Sequence, residues 1–183
     1  SLAVRFLCAE PLPRGKGRRS ASVGWALIRQ ALLDLTGMTL AQLRQVSSSQ
    51  ADAARTTWLI LQGRTTPRLH SLAEVDAFFR ELAEERSQTG KVRRLREGLS
   101  GFHHAEAAML VGILTGDLRI GLKEGLLEEA VAAAFGRDPE AVRGANLLLG
   151  DLGETALLAR ADELHRAGAT WFTPLRVMLA SPG

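Results

Sequence analysis

Apolar residues recur along most of this chain with the spacing of helices that bury one face. Trp25, Ile28, Leu32 and Leu35 form one stripe, Leu72, Val75, Phe79 and Leu82 a second, and Leu122, Leu126, Ala130, Val131 and Ala134 a third. Each stripe is expected to face a common core. Start signals sit beside them: Thr39 with Gln42 and Ser71 with Glu74 have capping-box spacing, and Asp138-Pro139-Glu140 places an acceptor at the cap and proline in the first turn. Gly37, Gly98, Gly136 and Gly150 fall just after periodic runs, where a left-handed cap favours a residue without Cβ. No alternating run rich in β-branched residues is bounded by turns, so the pattern predicts an all-α fold.

The pattern also repeats. Val23-Gly24-Trp25 opens a predicted helix that ends at Thr36-Gly37 and is followed by Thr39 to Arg44. Ile120-Gly121-Leu122 opens another that ends at Phe135-Gly136 before Asp138 to Arg143, and Ser49 to Ala54 then occupies the place of Leu148 to Gly153. The expected architecture is a multi-helix domain over about residues 1–169, built from two pseudo-symmetric repeats at about 18–62 and 115–167, with a linker at 170–183.

Composition narrows the class. The 183 residues, 46% of them hydrophobic, suffice for one globular domain with a sizeable core. The single cysteine, Cys8, excludes an internal disulfide and fits a reducing cytoplasm, and the short apolar start Leu2 to Leu7 cannot cross a bilayer. The net charge of +3 is modest, but its distribution is not even. Arg14, Lys16, Arg18 and Arg19 form one basic cluster, Lys91, Arg93, Arg94 and Arg96 a second, and Glu81, Glu84 and Glu85 stand apart from both.

Two segments carry the candidate chemistry. Thr115-Gly116-Asp117-Leu118-Arg119-Ile120-Gly121-Leu122 and Gly150-Asp151-Leu152-Gly153-Glu154 each end one predicted helix, turn on glycines and start another. Each is therefore expected to offer free N–H groups at a helix start, where an anion can sit. Arg119 adds a planar fork suited to phosphate; Gly121, Gly150 and Gly153 allow close approach as well as capping, and Asp151 is assigned to capping the helix that follows. Two such turns point to a polyanion. Catalytic patterns are lacking: Asp162 and Glu163 diverge on a helix, Cys8 has no histidine partner, and the glycine turns do not form a Walker loop. His103 and His104 lack zinc-ligand spacing, and Trp25, Trp58 and Trp171 read as packing residues.

The segments 116–122, 129–136 and 150–154 resemble the N-terminal DNA-binding domain of ATP-dependent DNA ligases, and Val23 to Leu27 resembles the first-repeat segment of its bacterial members. Thr173 to Ala180 is similar to the family's linker into an adenylation domain. The resemblance implies an all-helical domain that holds nicked duplex DNA, without sequence preference, through minor-groove backbone contacts. It implies adenylation and OB-fold domains in the same parent chain, preceding helices ahead of Ser1, and ATP and magnesium as the parent enzyme's cofactors, with none in this segment. The family's Lys-x-Asp-Gly motif is absent: Lys16, Lys91 and Lys123 are followed by Gly17-Arg18-Arg19, Val92-Arg93-Arg94 and Glu124-Gly125-Leu126. DNA binding without ligation is therefore expected of this chain alone, as a cytoplasmic, nucleoid-associated monomer whose parent serves replication, repair or recombination.

Arg119, Gly121, Lys123, Gly150 and Gly153 are the expected DNA contacts of the second repeat. Lys91, Arg93 and Arg94 follow Ser87-Gln88-Thr89-Gly90, which is similar to a short form of the family's flexible basic loop, and Arg18 and Arg19 are the first-repeat counterparts. In that repeat the counterpart of Gly150-Asp151-Leu152-Gly153 has lost its glycines. Two rival readings stand beside this one: a helical protein-interaction module, and a regulatory DNA-binding domain. The second would need a polar recognition helix, which the sequence does not offer.

Overall fold

The computed structural model describes residues 1–13, 21–50, 52–65 and 68–168. Among them are ten α-helices, one 3-10 turn at Leu164–Arg166, and no strand. The helices are α1 (Leu2–Leu7), α2 (Trp25–Thr36), α3 (Leu40–Ser48), α4 (Ala53–Leu61), α5 (Leu72–Glu84), α6 (Gln88–Gly101), α7 (His104–Thr115), α8 (Glu124–Phe135), α9 (Pro139–Leu149) and α10 (Leu152–Ala161). The chain divides into two compact units, with α2 to α7 in one and α1 with α8 to α10 in the other.

In the α2–α7 unit, α4 lies along α7 and α2 along α6. Ile28, Leu32, Leu61, Phe79, Leu82, Leu95, Leu99 and Val111 are buried there. The stripes of α2 and α5 therefore face inward at their centres, as their periodicity predicts, while Leu72 at the start of α5 stays exposed. Glu106 ties the start of α7 to the segment before α5: it accepts the backbone N–H of His70 at 2.6 Å, meets the His70 ring at 3.0 Å, and accepts the N–H of His103 at 3.1 Å. Burial pushes this carboxyl up, but those donors outweigh it and hold it below the usual carboxylate range.

The other unit packs Val131, Ala132, Val142, Ala156 and Ala159 into its core, with Val4, Phe135 and Leu164 against it. A polar bridge joins α8 to α9, in which the buried Asn146 Nδ2 donates to Glu124 at 2.9 Å and to Glu128 at 2.7 Å. The third sequence stripe departs from expectation here. Of that stripe Val131 is buried, but Leu122, Leu126, Ala130 and Ala134 are exposed, and Leu127, Glu128 and Ala132 join Val131 on the inner face. A helix that is apolar around much of its circumference has more than one periodic face, and only packing selects the inner one.

The predicted capping boxes, the proline start and three of the four glycine stops hold. Thr39 and Ser71 form their capping boxes, Asp138 accepts from Ala141 with proline in the first turn, and Gly37, Gly136 and Gly150 end helices in the left-handed conformation. Gly98 is not a cap. It lies inside α6, and a Cβ at this position would run into the Phe78 ring of α5. That ring already stands edge-on to Phe102, with centroids 5.6 Å apart, so it has little room to yield.

Gly98→Ala should therefore lose about 1–3 kcal/mol to overpacking. Gly144→Ala, on α9 with open space at the Cβ position, should gain roughly 0.5–1 kcal/mol. Urea denaturation of the two variants beside the parent chain checks the contrast.

Candidate functional site

The first N–H groups of an α-helix need acceptors from outside it. Of the nine described helices with nine or more residues, seven begin with a side-chain acceptor: Thr39, Asp52, Ser71, Ser87, His103, Asp138 and Asp151. The two exceptions are α2, whose N-cap is Gly24, and α8, whose N-cap is Lys123. Both N-cap residues are exposed, and neither supplies a side-chain cap bond. Neither positive helix end is therefore closed by the side chain of its own N-cap residue.

These two helices open parallel series of elements. α2 ends at a left-handed Gly37, Thr39 caps α3, and Asp52 caps α4; α8 ends at a left-handed Gly136, Asp138 caps α9, and Asp151 caps α10. Asp52 accepts from the N–H of Arg55 at 2.6 Å, and Asp151 from that of Glu154 at 3.0 Å. Four residues after each cap, a buried threonine hydroxyl donates back to the cap residue's carbonyl, Thr56 at 2.9 Å and Thr155 at 3.0 Å.

Arg119 lies on the irregular segment after α7, with φ of 48°. Its Nε donates to Asp117 at 3.0 Å and lies 3.9 Å from an oxygen of Asp52, while the side chain remains 54% exposed. The hydrogen bond it donates to Asp117 and then the charge of that carboxylate raise the guanidinium's already high pKa further, so this group is cationic at any working pH. Gly121 is exposed with φ of 70°, and α8 begins at Glu124, later than the expected opening at Ile120 to Leu122.

The turn at Gly150 to Glu154 is different from its expected form. Gly150, Asp151 and Gly153 are buried, and Asp151 already caps α10. A Cβ on Gly153 would stand 3.2 Å from the Ser1 carbonyl oxygen and 3.3 Å from the Arg5 Cβ. This glycine therefore serves the close packing of α1 on α10, and the turn presents no open N–H cradle to solvent.

The second basic cluster also divides. Ser87 caps Gly90, so the segment expected as a flexible loop is the first turn of α6. Lys91 is buried, and its Nζ donates to the carbonyl oxygens of Ala21 at 2.7 Å and Ser22 at 3.4 Å. Its ammonium thus ties two segments of the protein together and is not presented for phosphate. Arg94 pairs with Glu81 at 3.3 Å and Glu97 at 3.7 Å. Arg93 is exposed and forms no ion pair with a described residue, and Arg96 shares its outer face one turn on. Arg18, Arg19 and Trp171 lie outside the described residues.

Histidines and tryptophan have local roles. His103 accepts from the N–H of Ala105 at the start of α7, and His104 lies beside it with ring centroids 4.0 Å apart. Trp58 packs under the Arg55 guanidinium at 4.4 Å and near the His104 ring at 5.8 Å. Asp52 is the functional candidate that sequence reading passed over. Its alignment with Asp151 in the repeat was the available signal, but an acidic residue attracts no attention in a search for anion ligands.

The fold and these surfaces define an all-helical module whose open helix starts and exposed arginines suit a polyanion. The chain belongs to the DNA ligase N terminus family, whose sequence profile matches residues 1–132. It is similar to the "Probable DNA ligase" of Opitutus terrae, 36% identical over 214 positions that cover 98% of this chain and 21% of that protein. The "Probable DNA ligase" of Koribacter versatilis is 37% identical over 166 positions, covering 90% of this chain and 29% of that protein. The "DNA ligase" of Methanospirillum hungatei is 32% identical over 188 positions, covering 98% and 34%. The chain thus spans between a fifth and about a third of the length of these relatives.

The two basic residues of α6 should respond differently to truncation. Lys91→Ala should cost about 1–3 kcal/mol of stability because it strands acceptors inside the fold, whereas Arg93→Ala should stay within about 0.5 kcal/mol. Equilibrium denaturation of both variants makes the comparison.

Proposed function

We propose that this chain is the DNA-binding part of an ATP-dependent DNA ligase and that it holds nicked duplex DNA without reading its sequence. The observation that carries this reading is the pair of helix starts without side-chain caps, at α2 and α8, in a chain belonging to a DNA ligase family. A helix start offers N–H donors and the positive end of a dipole to a phosphodiester, and such contacts position a duplex without specifying bases. Arg119, Gly121, Lys123 and Arg93 are exposed and make up the contact set. Arg94 contributes only by leaving its carboxylates, and Lys91, Gly150 and Gly153 are left out because they are buried.

In this proposal the chemistry belongs to the rest of the parent protein. There an adenylation domain takes AMP from ATP with magnesium, an OB-fold domain completes the grip, and the nick is sealed. This chain supplies the hold on duplex, as one copy per nick in the cytoplasm, and serves whichever of replication, repair or recombination its parent enters. No described helix is long and apolar enough to cross a membrane.

Fluorescence anisotropy with nicked and intact duplexes of two unrelated sequences, over a salt series, tests the reading. Binding should be independent of sequence and, for about five neutralised phosphates, log affinity should fall against log salt with a slope of about −4 to −5. Arg119→Ala should weaken binding evenly across sequences by roughly 1 kcal/mol. A strong preference for one of the two unrelated sequences, or no binding even at low salt, would refute the reading.

A further inference from the structure

The two carboxylates beside Arg119 raise a question of sign. A phosphate-binding arginine gains nothing electrostatically from negative neighbours, yet Asp117 bonds it at 3.0 Å and Asp52 lies 3.9 Å from it. The atoms involved decide how this works. Both approaches are to Nε, and neither Nη group hydrogen-bonds to any described residue. Asp52 is itself held in place, because its Oδ1 accepts the Arg55 N–H at 2.6 Å while its Oδ2 faces Arg119. Only 15% of the Asp52 side chain is exposed, against 54% of Arg119.

Building on the DNA-binding reading above, we propose that Asp117 and Asp52 are positioning residues, which hold the Arg119 guanidinium by its Nε edge so that its paired Nη groups face solvent as a ready fork for the two free oxygens of one phosphodiester. A guanidinium in this orientation can bind bidentately, and a side chain already fixed loses less freedom when it engages. The backbone contributes as well. The positive φ of Arg119, uncommon for a residue with a Cβ, sets the direction in which its side chain leaves the segment after α7.

Positioning and charge predict opposite outcomes when the carboxylates are removed. On charge alone, Asp117→Ala should tighten DNA binding, because a negative group near the phosphate is gone. Positioning predicts that Asp117→Ala weakens binding by about twofold to fivefold, no more than Arg119→Ala does. Asp117→Asn, which keeps an acceptor for Nε and drops the charge, should bind at least as well as the parent. In an Arg119→Ala background, Asp117→Ala should no longer weaken binding. Asp52→Asn retains a good helix cap and should leave the thermal melt of the chain unchanged.

All variants are measured by anisotropy with the same nicked duplex at fixed salt, with circular dichroism melts as a folding control. Weaker binding by Asp117→Ala, rescue by Asp117→Asn and loss of the effect without Arg119 establish positioning. If Arg119→Ala weakens binding while Asp117→Ala tightens it or leaves it unchanged, positioning is overturned and the DNA-binding reading stands. If Arg119→Ala has no effect, Arg119 is not a contact and positioning is overturned with it. If the parent chain does not bind DNA at all, the broader reading fails first.

Discussion

Every α-helix begins with N–H groups that must find acceptors outside the helix, and the way each helix in this chain meets that demand governs the rest of its architecture. A hydroxyl, carboxylate or imidazole closes seven of the nine longer helices in the described chain. Closure fixes where those helices begin, and thereby which faces they bury. At α2 and α8 the cap residues are glycine and lysine, which supply no side-chain acceptor. Leaving such ends open forgoes roughly 1 kcal/mol of capping at each, a loss that a protein built to bind phosphate recovers on binding.

The same economy governs the arginines. With a net charge of only +3, the chain has no broad positive field, so the local placement of each arginine matters more. The described arginines that form ion pairs face carboxylates of their own unit, as Arg94 does with Glu81 and Glu97, and Arg143 with Glu128 and Glu140. Arg93 and Arg96 stay open along one face of α6, and Arg119 is held without being enclosed. A surface arginine paired in water is worth little to stability, so such pairs serve more to orient side chains than to hold the fold.

Local signals were the most legible part of the sequence. Capping boxes at Thr39 and Ser71, the proline start at Asp138 and the glycine stops at residues 37, 136 and 150 are set by a few neighbouring residues, and each appears as read. Errors arose where distant residues decide. Gly98 looks like a stop until the Phe78 ring is brought against it, and Lys91 looks like a surface cation until the carbonyls of Ala21 and Ser22 approach it. The exposed Leu122 and Leu126 show the same limit, since an alanine-rich helix does not reveal which side is inward. Of the candidate site, Arg119 and Gly121 lie in one motif with Lys123 just beyond it, while only geometry separates the helix starts that their N-cap side chains close from those they do not.

On the proposed reading, phosphates engage the starts of α2 and α8. Amide chemical shifts of the isotope-labelled chain, followed by NMR during titration with a short nicked duplex, test it most directly. The largest changes should occur at Trp25, Ala26, Glu124 and Gly125, the first residues of α2 and α8, with Leu152 and Gly153 at the closed start of α10 nearly unmoved. Bound DNA that leaves both open starts unperturbed and shifts amides elsewhere would contradict it.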